Sequence, residues 1–95
     1  MANYRLSPNA KEDLERIWFY GLEQWGVVEA DQYIQALYQR FDELSEQPLL
    51  YPAVDEIREG YRRSVCGGDS IFYRINNTDI EIMAIIGRQD LSQWL

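Results

Sequence analysis

The sequence predicts an α+β fold in which an N-terminal helical hairpin lies on a small antiparallel sheet, in the order β-α-α-β-β-β. Apolar residues recur at spacings of three and four between Pro8 and Pro48, whereas the last third carries runs of β-branched and aromatic residues separated by turn signals. The breaks agree with this division, since Gly26 and Pro48 fall where the helical periodicity stops.

Asn3 to Leu6 alternate polar and apolar, the pattern of a short strand. Ser7-Pro8 then provides a helix start, with a hydroxyl to cap free N–H groups and a proline where its missing donor costs nothing. Ala10, Leu14, Ile17, Trp18, Leu22 and Trp25 form the apolar stripe of the first helix, and Lys11, Glu12, Asp13, Glu15 and Arg16 fill its solvent face. Gly26 ends it. Ala30, Ile34, Leu37, Phe41 and Leu44 repeat the pattern until Pro48 forbids continuation, so the two helices should form an antiparallel hairpin. Trp18, Trp25, Tyr33 and Phe41 lie at helical spacing, which assigns them to the core and not to a ligand box. Pro48 to Gly60 is too apolar for a floating linker and reads as an ordered connection. Tyr61 to Cys66, Ser70 to Ile75 and Ile80 to Ile86 are the later strands, divided by Gly67-Gly68 and by Asn76 to Asp79. In Ile80 to Ile86 almost every residue is apolar on both faces, as in a strand buried from two sides.

A chain of 95 residues with 46% hydrophobic content fits one domain over residues 1–95, able to bury roughly 60 to 65% of its unfolded surface. The net charge of −7 argues against partners held chiefly through phosphates, so direct nucleic-acid binding is not expected. All five basic residues after Gln47 are arginines, Arg58, Arg62, Arg63, Arg74 and Arg88, which leaves room for a local basic patch. Cys66 is the single cysteine, excluding an intrachain disulfide and suiting a reducing cytoplasm. Neither a leader-like N-terminus nor a run long enough to span a membrane is present, so a cytoplasmic location is expected.

Histidine is absent, which removes the commonest general acid/base, the Ser-His and Cys-His pairs, and most transition-metal sites. No catalytic residue, cofactor or metal is therefore expected. Glu12, Asp13 and Glu15 read as solvated carboxylates, Gly67-Gly68 as a turn and not a phosphate loop because a strand follows it, and Cys66 as an inert buried thiol. The arginines either recognise carboxylates or phosphates on a partner or pair with acidic side chains of the same surface.

Tyr4-Arg5-Leu6-Ser7-Pro8 followed by Ala10, Asp13-Leu14, Ile17-Trp18 and Tyr20 resembles the opening of ParE-type toxins of the RelE/ParE toxin–antitoxin superfamily. Gln24-Trp25-Gly26, Asp55 to Arg62, Ile71-Phe72-Tyr73-Arg74 and Gly87-Arg88-Gln89-Asp90 are similar to later blocks of that family, in order and with compatible spacing over nearly the whole chain. The resemblance implies a toxin that grips DNA gyrase and is silenced by a cognate antitoxin encoded beside it. The apolar residues on both faces of Ile80 to Ile86 and the small two-helix layer suit a partner that folds across an exposed groove or adds a strand to a sheet edge. Such a pair is also compatible with higher-order toxin–antitoxin assembly. Arg62, Arg63 and Arg88 are the expected target contacts, Arg88 foremost. Two other readings stand beside it: a ribosome-dependent messenger RNA endonuclease of RelE type, and a decayed toxin that only binds its antitoxin. Ile86 stands where many relatives place a histidine, and Asp69 where another often sits, which weighs against the endonuclease.

Overall fold

The structure, a computed structural model, describes residues 3–87. Strand β1 (Tyr4–Leu6) leads into helices α1 (Pro8–Trp25) and α2 (Val27–Glu46), followed by strands β2 (Tyr61–Cys66), β3 (Asp69–Asn76) and β4 (Asp79–Gly87). The predicted order is thus observed. The strands lie side by side as β1-β4-β3-β2, with β2, β3 and β4 antiparallel as expected. β1 pairs in parallel with β4, Tyr4 opposite Ile80, which makes the complete sheet mixed. Turn residues specify how sequence neighbours pair, and β1 has no hairpin turn to specify its direction. Its place follows from burying an apolar central strand.

The Ser7 hydroxyl accepts the Ala10 N–H at 3.0 Å, and Pro8 takes the first helical position. At the other end Gly26, with φ +90°, allows the chain to leave α1 and enter α2 across a single residue. The helices consequently run antiparallel and close together at their joined ends. A Cβ on Gly21 would stand 3.1 Å from the Ala30 Cβ and 3.3 Å from the Trp25 ring, so Gly21 permits both contacts.

Ala10, Leu14, Ile17, Leu37, Phe41 and Leu44 pack on Ile71, Tyr73, Ile80, Ile82 and Ile85 of the sheet. Phe41 is fully buried, but Trp25 remains 43% exposed and Trp18 and Tyr33 only partly buried. Helical spacing correctly sends Phe41 inward. Trp25 departs from the expectation because it lies in the last turn, where its ring meets Tyr20 and Tyr33 instead of the sheet.

The opposite sheet face is covered by the connection between α2 and β2. Val54 and Ile57, with Tyr61, pack on Phe72, Ala84 and Ile86. Backbone bonds hold it in place: the Val54 N–H donates to the Tyr61 carbonyl at 2.8 Å, and the Arg63 N–H to that of Pro52 at 3.1 Å. Both faces of β4 are therefore covered from Ala84 to Ile86, while Glu81 on its first half stays partly exposed beside Arg74.

Register places Phe72 opposite Ala84 but Tyr73 opposite Ile82, leaving Met83 as the extra residue of a bulge. This shifts the alternation, so that Ile80, Ile82 and Ile85 share the helix side while Ala84 and Ile86 face the connection. Beyond Leu6, α1 takes over the outer edge of β4. The Ser7 hydroxyl donates to the Met83 carbonyl at 2.9 Å, Asp13 accepts the Ile85 N–H at 2.9 Å, and Arg16 donates to the Ile85 carbonyl at 2.9 Å. Asp13 is accordingly no solvated carboxylate, its side chain being 16% exposed. Its ion pair with Arg16 is long at 3.5 Å and worth at most about 1 kcal/mol, whereas stranding a buried N–H costs about 1–3 kcal/mol. The strand-edge bond dominates.

Replacing Asp13 by Ala should therefore lower unfolding stability by about 1–3 kcal/mol in urea denaturation, while Glu12→Ala, on the exposed face, should change it by less than about 0.5 kcal/mol. Gly67→Ala should also destabilise, by about 1–3 kcal/mol in the same measurement, because Gly67 has φ +62° and an added Cβ would lie 2.6 Å from Tyr33 Cε1.

Candidate functional site

Arg62 and Arg63 are neighbours on β2 and so project to opposite faces of the sheet. Arg62 Nη1 donates to the Tyr51 carbonyl at 2.7 Å, tying the α2–β2 connection to the strand. Arg63 Nε donates to the Ser70 hydroxyl at 2.9 Å, and its guanidinium lies 6.0 Å from the Phe72 ring centroid. Each is partly buried. Arg88, the third expected contact, lies outside the described residues. Arg74 pairs with Glu81 across β3 and β4 at 2.8 Å, the internal alternative for that arginine.

The fold adds a cation that the sequence reading missed. Arg40 of α2 donates to the Ser64 hydroxyl at 2.7 Å and the Val65 carbonyl at 2.8 Å, with its guanidinium 5.5 Å from the Tyr51 ring centroid. Arg40 and Arg62 thus converge on Tyr51, one on its ring and the other on its carbonyl. Arg40 is the lone basic residue of α2, and that isolation was the available signal.

A cleft of about 370 Å³ opens between the hairpin tip and the β2–β3 turn. Tyr20, Trp25 and Tyr33 form its aromatic wall, with ring centroids 6.0 Å apart for the first pair and 5.5 Å for the second. Gly68 and Asp69 line the turn side, and Arg16 also borders the space. Two glycines seat this wall: Gly21 beneath the Trp25 ring and Gly67 beneath Tyr33. The Tyr33 hydroxyl donates to Asp69 Oδ2 at 2.5 Å. Burial, then this hydrogen bond and the Asp69 charge, push the Tyr33 hydroxyl far above the usual tyrosine range, so it remains a neutral donor.

Burial likewise pushes the Cys66 thiol up, outweighing the opposing influence of Arg40. A nucleophile requires the reverse shift. Among the described residues, no group of three or more His, Cys, Asp or Glu side chains is arranged to hold a metal ion. No described helix is long and apolar enough to cross a membrane.

The outside of the helical hairpin carries an apolar groove among its charged residues. Leu14, Trp18, Ile34 and Tyr38 line an open groove with Glu15 and Asp31 at its sides. Phe19, Tyr20, Val27 and Val28 are each more than half exposed. In contrast, the β2 edge and the part of β4 beyond Leu6 are obstructed: residues 52–54 flank the start of β2, Arg40 occupies the Val65 carbonyl, and α1 side chains close β4, which leaves the three-residue β1 as the remaining edge strand.

Comparison with known proteins agrees with this architecture. Toxin ParE1 of Mycobacterium tuberculosis is 40% identical over 74 residues, covering 78% of this chain and 76% of that protein. Toxin ParE1 of Caulobacter vibrioides is 36% identical over 86 residues, covering 90% and 88%. A chain from the chromosomal ParDE system of P. aeruginosa superposes with a TM-score of 0.80 at 18% identity, covering 92% of this chain and 96% of that one. A chain of the M. tuberculosis toxin–antitoxin complex RelBE2 gives 0.66 at 22% identity, with coverage of 92% and 98%. These two structural likenesses speak for the fold. The model of the family described as ParE toxin of type II toxin–antitoxin system, parDE, matches residues 4–91, and with the ParE1 relatives it shows that the chain belongs to the ParE toxin family.

Proposed function

We propose that this ParE-family chain acts as one domain in the cytoplasm, inhibits DNA gyrase by protein binding, and is silenced by a cognate antitoxin lying along the apolar outside of its helical hairpin. Family membership carries the toxin assignment, and the resemblance supplies gyrase as its target. The non-catalytic reading draws support from the absence of histidine and from the upward shifts of Tyr33 and Cys66, which disfavour proton abstraction or nucleophilic attack at neutral pH. The same features count against the RelE-type endonuclease.

The obstructions along β2 and β4, and the shortness of β1, favour one mode of antitoxin binding over the other. Adding a strand requires unpaired backbone groups, and the side chains on Val65 and Ile85 would have to be displaced first. A helix laid over Leu14, Trp18, Ile34 and Tyr38 displaces only water. Arg62, Arg63 and Arg88 remain the gyrase contacts in this proposal. Arg62 carries a structural duty through Tyr51, whereas the Arg63 hydrogen bond to Ser70 uses Nε, and a guanidinium has further N–H donors with which to meet a partner carboxylate.

The wild-type chain should block gyrase supercoiling at micromolar concentration, and unchanged supercoiling there would refute the target. Arg88→Ala should weaken the block roughly tenfold or more with little change in melting temperature, whereas Arg62→Ala should lower the melting temperature as well. A folded, fully active Arg88→Ala variant would remove Arg88 from the contact. For the antitoxin, co-expression should yield a complex with the product of the adjacent gene. Phe19→Asp with Val28→Asp, both on exposed helix positions, should leave the circular dichroism spectrum intact and weaken that complex about tenfold or more. Undiminished affinity would move the antitoxin to another surface.

A further inference from the structure

We propose that the cleft between the hairpin tip and the β2–β3 turn seats an arginine side chain of the antitoxin, its guanidinium against Tyr20, Trp25 and Tyr33 and paired with the Asp69 carboxylate. The inference rests on the antitoxin reading above and gives that partner a chemical feature. Three aromatic rings and one carboxylate face a common space of about 370 Å³, and ring faces and carboxylates attract the same ligand, a cation. Arg16 is the cation bordering this space, but its Nη2 is engaged by the Ile85 carbonyl and by Asp13.

The cleft is built from parts held in place. Gly21 admits the Trp25 ring and Gly67 admits the Tyr33 ring, each where a Cβ would intrude. Tyr33 then fixes Asp69 by donating to Oδ2, and an ionised carboxylate retains acceptor capacity after receiving one such bond. A planar guanidinium fits this set better than an ammonium because it stacks on a ring while donating in its own plane. The net charge of −7 adds long-range attraction for a basic segment.

A polypeptide source is favoured over a free amine by what surrounds the opening. Phe19, Val27 and Val28 are 61%, 61% and 66% exposed on the same hairpin tip, and a chain crossing the tip would cover apolar surface that a small cation leaves wet. One inserted arginine would also fix the register of a helix that the outer groove holds chiefly through apolar contact.

N-acetyl-arginine amide and its uncharged isostere N-acetyl-citrulline amide separate charge from shape. Titrated into the full chain, the arginine probe should move the Gly68 and Asp69 amide resonances saturably, with a dissociation constant in the millimolar range. The citrulline probe should bind roughly tenfold more weakly or not at all. Asp69→Asn, which keeps an acceptor for Tyr33, and Trp25→Leu, at an exposed position, should each weaken the arginine response at least several-fold with other resonances in place. Should Asp69→Asn disturb the turn, Trp25→Leu read through the Gly68 amide still decides. Equal responses to arginine and citrulline, or an arginine response unaltered in both folded variants, would overturn the inference. The antitoxin reading fails separately: the complex would then be missing while the probe still titrates. A silent probe with the complex intact defeats the arginine site alone.

Discussion

β4 has to be shielded from water on two faces and along both edges, and every other element except β2, which pairs with β3, answers one of these demands. The hairpin dries the side bearing Ile80, Ile82 and Ile85, and the α2–β2 connection dries the side bearing Ala84 and Ile86. β3 takes one backbone edge, while β1 takes the first part of the other and α1 completes it with Ser7, Asp13 and Arg16. An interior strand left open at its edge would expose unsatisfied polar groups or invite another chain. Side chains from α1 meet that need where β1 is only three residues long.

Most of this was legible because local chemistry and global packing agree. Ser7-Pro8, Gly26 and Pro48 mark helix boundaries within a residue or two, and the apolar run from Ile80 to Ile86 signals double-sided burial. What escaped the sequence depends on long-range partners. The parallel direction of β1 has no local signal, and the Met83 bulge is visible only once Phe72 and Tyr73 are paired. Asp13 looked solvated because helical periodicity places it away from the hydrophobic stripe, yet it reaches the strand from the side of that stripe.

The candidate site was less legible for the same reason. Arg62 and Arg63 adjoin in sequence, but strand alternation separates them onto two faces. Arg40 and Arg62 are distant in sequence, yet both meet Tyr51. Trp25 was assigned inward from its spacing and is instead displayed at the hairpin tip, where it borders a cleft with Asp69 that no linear motif announces. Periodicity identifies which side of a helix is apolar, but not whether a sheet extends far enough to cover its last turn.

The bond from Ser7 to Met83 spans 76 positions, and β1 rests on residues 80–82. Contacts of such separation form late, because the intervening chain must lose its freedom before they stabilise anything. On a growing polypeptide, the helical hairpin can emerge and form early, but the sheet has no interior strand until β4 has been synthesised. Translation therefore imposes an order of maturation: the acidic, apolar-faced hairpin comes first and the finished sheet last. A partner engaging the hairpin alone would meet this protein before its sheet had formed.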